Sequence, residues 1–280
     1  VTPWVDAAGT AHTTATEARI VCLVPSITEL LCDLGLAAQL VGRTGFCIHP
    51  REALRSVAKV GGTKDVDVDR VRSLDPTHVI VNIDENTRET AERLAQCVPN
   101  LIVTHPLGPL DNPPLYRLLG GIFGRSAEAE ALASRFDTAL QALRATQIAE
   151  HGAPPERVLY LIWRDPWMTV GPDTYIARML DLVGWQAWSP PSTDRYPTLQ
   201  LGSAAGAVDR VLLSSEPYAF RDKHLAEVAT ALPEATVTLI DGEQVSWYGS
   251  RAIEGITYLS DYARRARRSN PGDLYVTADR

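Results

Sequence analysis

The sequence predicts an α/β protein: two doubly wound α/β lobes joined by one long backbone helix, with a ligand cleft between the lobes. Three observations carry this reading. Apolar, β-branched runs alternate with helical patterns across short loops in residues 1–110. A helical stripe free of strand signals then fills most of residues 111–155. A second strand–helix alternation starts at once and occupies residues 156–280.

The chain opens on a loose leader, in which the turn from Asp6 to Gly9 can join two short edge strands. Ile20 to Val24 is an apolar run suited to a strand buried on both faces. Pro25 stops it. Ser26 and Glu29 have capping-box spacing, so a helix is expected to start there and run through Leu34 to a left-handed stop at Gly35. Ser26 reads either as a cap alone or as a cap that also forms a ligand wall. A strand entering a helix through a polar turn is the ligand-facing corner of an α/β sheet.

Val41 to Arg43 is a strand, Thr44 to Pro50 a loop, Arg51 to Arg55 a helical turn and Lys59 to Thr63 a loop. A short helix over Asp67 to Ser73 leads to a strand over Thr77 to Asn82. Asn86 and Glu89 repeat the capping spacing and launch a helix to Cys97, and Leu101 to Thr104 is the next strand. Leu115, Leu118, Leu119 and Ile122 have helical spacing that breaks near Gly124. Leu132, Phe136, Leu140 and Leu143 mark a helix over 127–149, roughly 35 Å long at 1.5 Å per residue. It is read as a rod joining two lobes, with a covering helix as the plainer alternative.

The second lobe is expected to contain strands over Arg157 to Trp163, Asp209 to Ser214 and Thr236 to Ile240. Its helices are expected from Asp173 or Thr174 to Gly184, over Lys223 to Leu232 and over Tyr248 to Arg268. Trp185 to Thr198 reads as irregular.

Bulk properties narrow the classes. The chain has 280 residues, is 45% apolar and 22% charged, and carries a formal charge of −7. This is an ordinary globular composition, and its charge argues against nucleic acid as the main partner. The arginines at 264, 265, 267 and 268 read as the solvated end of a last helix. Four cysteines fall in the first third without a C-x-x-C pair, so no disulfide framework is expected. No export signal or lipoprotein cysteine is visible and the chain begins at Val1, which a processed start would also produce.

Five of the six tryptophans lie beyond residue 160, several at strand ends. Trp163 and Trp167 flank one turn, Tyr218 and Phe220 follow the next strand, and Trp247 and Tyr248 follow the third. Three successive aromatic corners suggest an apolar, flat-walled cleft for a large ligand, the alternative being rings that fill gaps between sheet and helix. In the first lobe the strand ends offer Pro25, Ser26, Phe46, Asp84 and Glu85. Glu216 and Arg251 suit polar ligand groups or a salt bridge. His49 and His105 are weak metal candidates, since each precedes proline in a loop and no close His/Cys spacing supports them. Hydrolase, phosphate-loop and dinucleotide motifs are absent, so no catalytic residue is singled out.

The passages RIVCLVPSITELLCDLGL, KVGGTKDVDVDRVRSLDPTHVIVN and VDAAGTAH resemble the helical-backbone (class III) substrate-binding proteins of ABC importers, most nearly those for vitamin B12 and other metal chelates. The likeness spans about residues 5–265 and is stronger in the first lobe. The strand entry departs from the family pattern, with Thr77 and His78 in place of the usual acidic residue. The resemblance implies a non-enzymatic monomer without an intrinsic cofactor. It would hold cobalamin or a similar chelate between its lobes and deliver it to an ABC permease from the periplasm. The strand-end residues named above would form its ligand walls. The alternative is a cytoplasmic metallochaperone or enzyme that uses His and carboxylate ligands in the same cleft.

Overall fold

The structure is a computed structural model that describes residues 3–149 and 155–268. The chain forms two compact units. Unit 1 comprises Val1–Pro106, Leu110–Asp137 and Tyr248–Arg251; unit 2 comprises Leu107–Pro109, Thr138–Trp247 and Ala252–Arg280.

In unit 1 the leader folds as an antiparallel hairpin of β1 (Trp4–Val5) and β2 (Ala11–His12). Asp6 organises its turn. Oδ1 accepts the Ala8 and Thr10 N–H groups, while Oδ2 accepts the Val103 N–H and meets His12 Nε2 at 3.1 Å. Next come β3 (Ile20–Cys22), α1 (Pro25–Asp33), β4 (Leu40–Arg43) and β5 (Ala58–Lys59). The run closes with α2 (Val68–Ser73), β6 (His78–Asn82), α3 (Arg88–Ala95) and β7 (Asn100–Thr104). These strands form a parallel sheet in the order β5-β4-β3-β6-β7. Val21, Leu23, Val79 and Val81 pack on Val68, Val71, Leu94 and Val98, while Ile20, Cys22 and Ile80 are buried as well. Both faces are therefore covered, as expected of a parallel sheet with near-continuous apolar strands.

Helix α4 (Asn112–Ile122) packs closely on α5 (Ser126–Ala149), since a Cβ at Gly120 would lie 2.5 Å from that of Ala129. The apolar stripe of α5, including Leu132, Phe136, Leu140 and Leu143, is buried. The division between the units falls within α5, after Asp137.

Unit 2 continues with β8 (Glu156–Trp163), β9 (Met168–Thr169), α6 (Tyr175–Asp181) and β10 (Trp185–Ala187). It ends with β11 (Arg210–Ser214), α7 (Asp222–Ala231), β12 (Thr236–Ile240), α8 (Gly242–Ser246) and α9 (Arg251–Arg268), whose first residue counts with unit 1. The parallel order is β10-β8-β11-β12, with β9 antiparallel on β8. Leu159, Leu161, Val211 and Leu213 face Leu201, Val208, Val228 and Leu232.

Several local expectations are corrected. Ser26 does not cap α1. The cap position is Val24, without a side-chain bond, and Pro25 occupies the first turn, where its missing N–H costs nothing. Thr87, not Asn86, caps α3 by accepting the Thr90 N–H. Residues 51–56 form turns rather than a helix. The stretch after Gly184 contains β10, which pairs with β8, and the last helix starts at Arg251 instead of Tyr248. Thr174 is the α6 cap, and Gly35 and Gly184 hold positive φ at the expected helix stops. The four cysteines are free.

Candidate functional site

Both sheets reverse their strand order beside their first strand: β3 with β6 across the reversal in unit 1, and β8 with β11 in unit 2. In open parallel sheets ligands bind outside the carboxyl ends of strands at such a reversal. The loops selected are Val24–Ser26 and 83–86 in unit 1, and 163–167 and 215–220 in unit 2. The sequence-derived candidates concentrate on these loops and their neighbours.

In unit 1, Phe46 and Ile48 after β4 and Ile83 after β6 are exposed apolar side chains, at 62%, 43% and 50% of full exposure. Their loops are held from below. Arg43, itself buried, donates from Nε to the Leu54 carbonyl and from Nη1 to those of Thr44 and Cys47. Asn86 is buried; its Oδ1 accepts the Asn82 N–H, and its Nδ2 donates to the Leu23 and Thr63 carbonyls. Asn82 Oδ1 accepts the N–H groups of Asp84 and Glu85, which orients both carboxylates. The Tyr248 hydroxyl donates to Glu85 Oε1. Burial, followed by the Glu85 carboxylate, raises the Tyr248 phenol well above its ordinary range, so it is neutral. Ser26 Oγ is buried beside that phenol and opposes its upward shift, a smaller effect than burial. Pro25 is half-buried next to it.

Gly249 ties this corner together. Its φ is +84°, its N–H donates to Asn112 Oδ1 at 2.6 Å, and its carbonyl accepts the Tyr116 hydroxyl at 2.8 Å. Arg251 forms a two-pronged ion pair with Glu29. His105 Nε2 lies 3.5 Å from Asp84 Oδ1, whereas His49 is half-buried on the loop after β4. Among the described residues, no group of three His, Cys, Asp or Glu side chains is placed to hold a metal ion. Burial raises the Cys47 thiol, which lies 3.2 Å from both the Thr28 and Thr44 hydroxyls; it is a packed, protonated group.

In unit 2, Trp163, Trp167, Tyr218 and Phe220 form one continuous cluster. Trp163, 40% exposed, meets the Tyr218 ring edge-on at 5.7 Å between centroids. Tyr218 lies 4.7 Å from Phe220, and Phe220 is stacked on Trp167 at 6.0 Å with 4° between planes. The Arg164 guanidinium sits over Trp167 and pairs with Glu227. Trp163 is exposed and Tyr218 half-buried, while Phe220 is buried. Glu216 does not stand open. It accepts the Trp247 indole N–H at 2.6 Å and the Ser246 hydroxyl at 3.0 Å, and burial raises its carboxyl above the usual range. Trp247 is thereby locked in place and largely buried.

The sequence reading placed Trp247 and Tyr248 at one corner, yet Trp247 belongs to unit 2 and Tyr248 to unit 1. It missed Asn82, Asn112, Tyr116 and His224, and read Asn86 as a helix cap. The signal available was weak: lone asparagines after strands, whose partners lie in distant segments.

The family model described as periplasmic binding protein matches residues 20–231. A search of curated proteins finds no match. Among solved structures the fold is shared with the periplasmic vitamin B12 binding protein BtuF of Vibrio cholerae, with a TM-score of 0.77 and 18% identity, covering 90% of this chain and 99% of that one. The periplasmic heme-binding protein RhuT of Roseiflexus sp. RS-1 matches with a TM-score of 0.72 and 22% identity, covering 89% and 98%. A periplasmic heme binding protein of Pseudomonas aeruginosa matches with a TM-score of 0.75 and 19% identity, covering 89% and 93%.

Proposed function

Since the chain belongs to the periplasmic binding protein family, we propose that it binds a large, flat metal chelate, a corrinoid such as cobalamin or a haem, and delivers it to an ABC permease from the periplasm. The observation that carries this reading is the Trp163–Tyr218–Phe220–Trp167 cluster at the strand reversal of unit 2. Exposed Trp163 and half-buried Tyr218, set against half-buried Trp167 and buried Phe220, offer a broad apolar face, and mutual packing of the rings lowers the entropic cost of binding. In unit 1, Phe46, Ile48 and Ile83 are exposed apolar side chains at strand ends, the kind of surface an apolar ligand uses. The B12- and haem-binding descriptions of the structures that share the fold support the same ligand class. This reading makes the chain a binding protein rather than an enzyme, with the chelate as cargo.

Titration with cyanocobalamin and, separately, haemin tests it. Binding is expected to quench tryptophan fluorescence, and Trp163→Ala is expected to weaken it at least tenfold, since truncating an aromatic anchor costs about 2 kcal/mol or more. Neither quenching nor calorimetric heat with either chelate at micromolar protein would overturn the proposal.

A further inference from the structure

The Tyr218 hydroxyl has a direction imposed on it by the start of α7. The Arg221 backbone N–H donates to His224 Nδ1 at 2.9 Å. An imidazole that accepts at Nδ1 carries its proton on Nε2. That nitrogen faces the Tyr218 hydroxyl oxygen at 3.4 Å, so the phenol oxygen accepts from the ring and its own O–H is left to donate elsewhere. Among the described residues the Tyr218 side chain makes no other hydrogen bond. The pair is held rigidly: His224 is 4% exposed and packs edge-on against Tyr218 at 5.6 Å and Phe220 at 5.4 Å. Tyr218 is half-buried, next to exposed Trp163. One hydroxyl proton is therefore presented from the aromatic platform with no acceptor among the described residues.

We infer that Tyr218 donates this hydrogen bond to an acceptor group on the rim of the ligand, a carboxylate or amide carbonyl, and that His224 is its positioning residue. The inference rests on the chelate-binding reading above and deepens it: the site selects chelates whose flat core carries peripheral oxygen acceptors over all-alkyl ones. Flat apolar area alone would not make that distinction. A site built to hydrogen-bond a ligand group rejects analogues that lack it, because its own buried polar atoms would then be left unpaired.

The test compares affinities for cyanocobalamin and haemin, which carry amides or carboxylates, with iron octaethylporphyrin, which carries only alkyl groups. Tyr218→Phe keeps the ring and removes the donor. It is expected to weaken the acceptor-bearing probes about tenfold, the effect of one well-placed hydrogen bond, and to leave iron octaethylporphyrin unchanged. His224→Asn keeps an acceptor for the Arg221 N–H and loses the Nε2 donor. It is expected to reduce the same discrimination with little change in Tm, a result that a purely structural histidine would not produce. Nitrogen-15 shifts of His224 should report the Nε2–H tautomer in the unliganded protein. Equal losses for all probes, or none, in Tyr218→Phe would overturn the inference while leaving chelate binding intact, as would an Nδ1–H tautomer. Failure of all three probes to bind would overturn both.

Discussion

Glu29 and Arg251, separated by 222 positions, close a two-pronged ion pair in unit 1: Arg251 Nε donates to Glu29 Oε2 at 2.8 Å and Nη2 to Oε1 at 2.6 Å. Their side chains keep only 16% and 12% of their exposure. The pair fastens α1, which follows the first strand of the sheet, to the segment that brings Tyr248 and Gly249 into unit 1. Arg251 was a candidate for contacting ligand, and its guanidinium is already committed to this carboxylate.

Removing one partner takes this two-pronged pairing from the other, partly buried charge. Arg251→Met and Glu29→Gln are each expected to cost about 2–3 kcal/mol. The double variant should recover part of that loss, since two neutral groups no longer strand a charge. Urea midpoints of the four proteins measure the coupling.

Gly249→Ala should be disproportionately harmful for a single methyl group. The backbone there has φ +84°, and a Cβ would stand 3.1 Å from the Ser26 carbonyl oxygen. The left-handed conformation alone costs an L-residue about 1–2 kcal/mol. Thermal unfolding is expected to show that loss, and more if the Asn112 and Tyr116 hydrogen bonds shift.

Glu216 makes a signed prediction for pH. Burial is the leading cause of its raised folded-state pKa, and the hydrogen bonds from Ser246 and Trp247 oppose it. A carboxyl with a raised folded pKa binds its proton more readily folded than unfolded. This group's penalty is therefore fully present above the folded pKa and relieved as pH falls towards the ordinary Glu value of about 4.3. Glu216→Gln still offers an oxygen to the Trp247 indole and removes the penalty. Its stability relative to the parent protein should be greatest at neutral pH and shrink on acidification through that window, as read from urea midpoints against pH.

Asn86→Ala would strand the Asn82 N–H and the Leu23 and Thr63 carbonyls, all partners of one buried amide. A loss of about 2–3 kcal/mol is expected. Faster amide exchange at Asn82, Asp84 and Glu85 would show that the loop after β6 had loosened, because Asn82 Oδ1 holds the last two N–H groups.

The legible part of the fold was the part written in local patterns. The apolar runs at Ile20, His78, Arg157 and Arg210 each became an inner strand, because a strand buried on both faces must be almost wholly apolar, while the run at Thr236 became the partly buried edge strand β12. Gly35 and Gly184 stop their helices as read, since positive φ suits glycine. The short elements were not legible: β5, β9 and β10 have two or three residues each and exist through their neighbours. The capping assignments at Ser26 and Asn86 failed for a related reason. Both side chains fit the local pattern, yet Pro25 already suits the start of α1, and Thr87 serves α3 while Asn86 joins three separate segments.

The sequence by itself determined the α/β class, the long helix and the placing of aromatic residues after strands, because periodicity and strand-end chemistry act within a few residues. Tertiary structure alone decided what those residues do. It paired Glu29 with Arg251, turned Glu216 towards Trp247, divided Trp247 from Tyr248, and set His224 against the Tyr218 hydroxyl. Such choices depend on groups tens or hundreds of positions apart meeting at hydrogen-bond distance, and no local pattern encodes that distance.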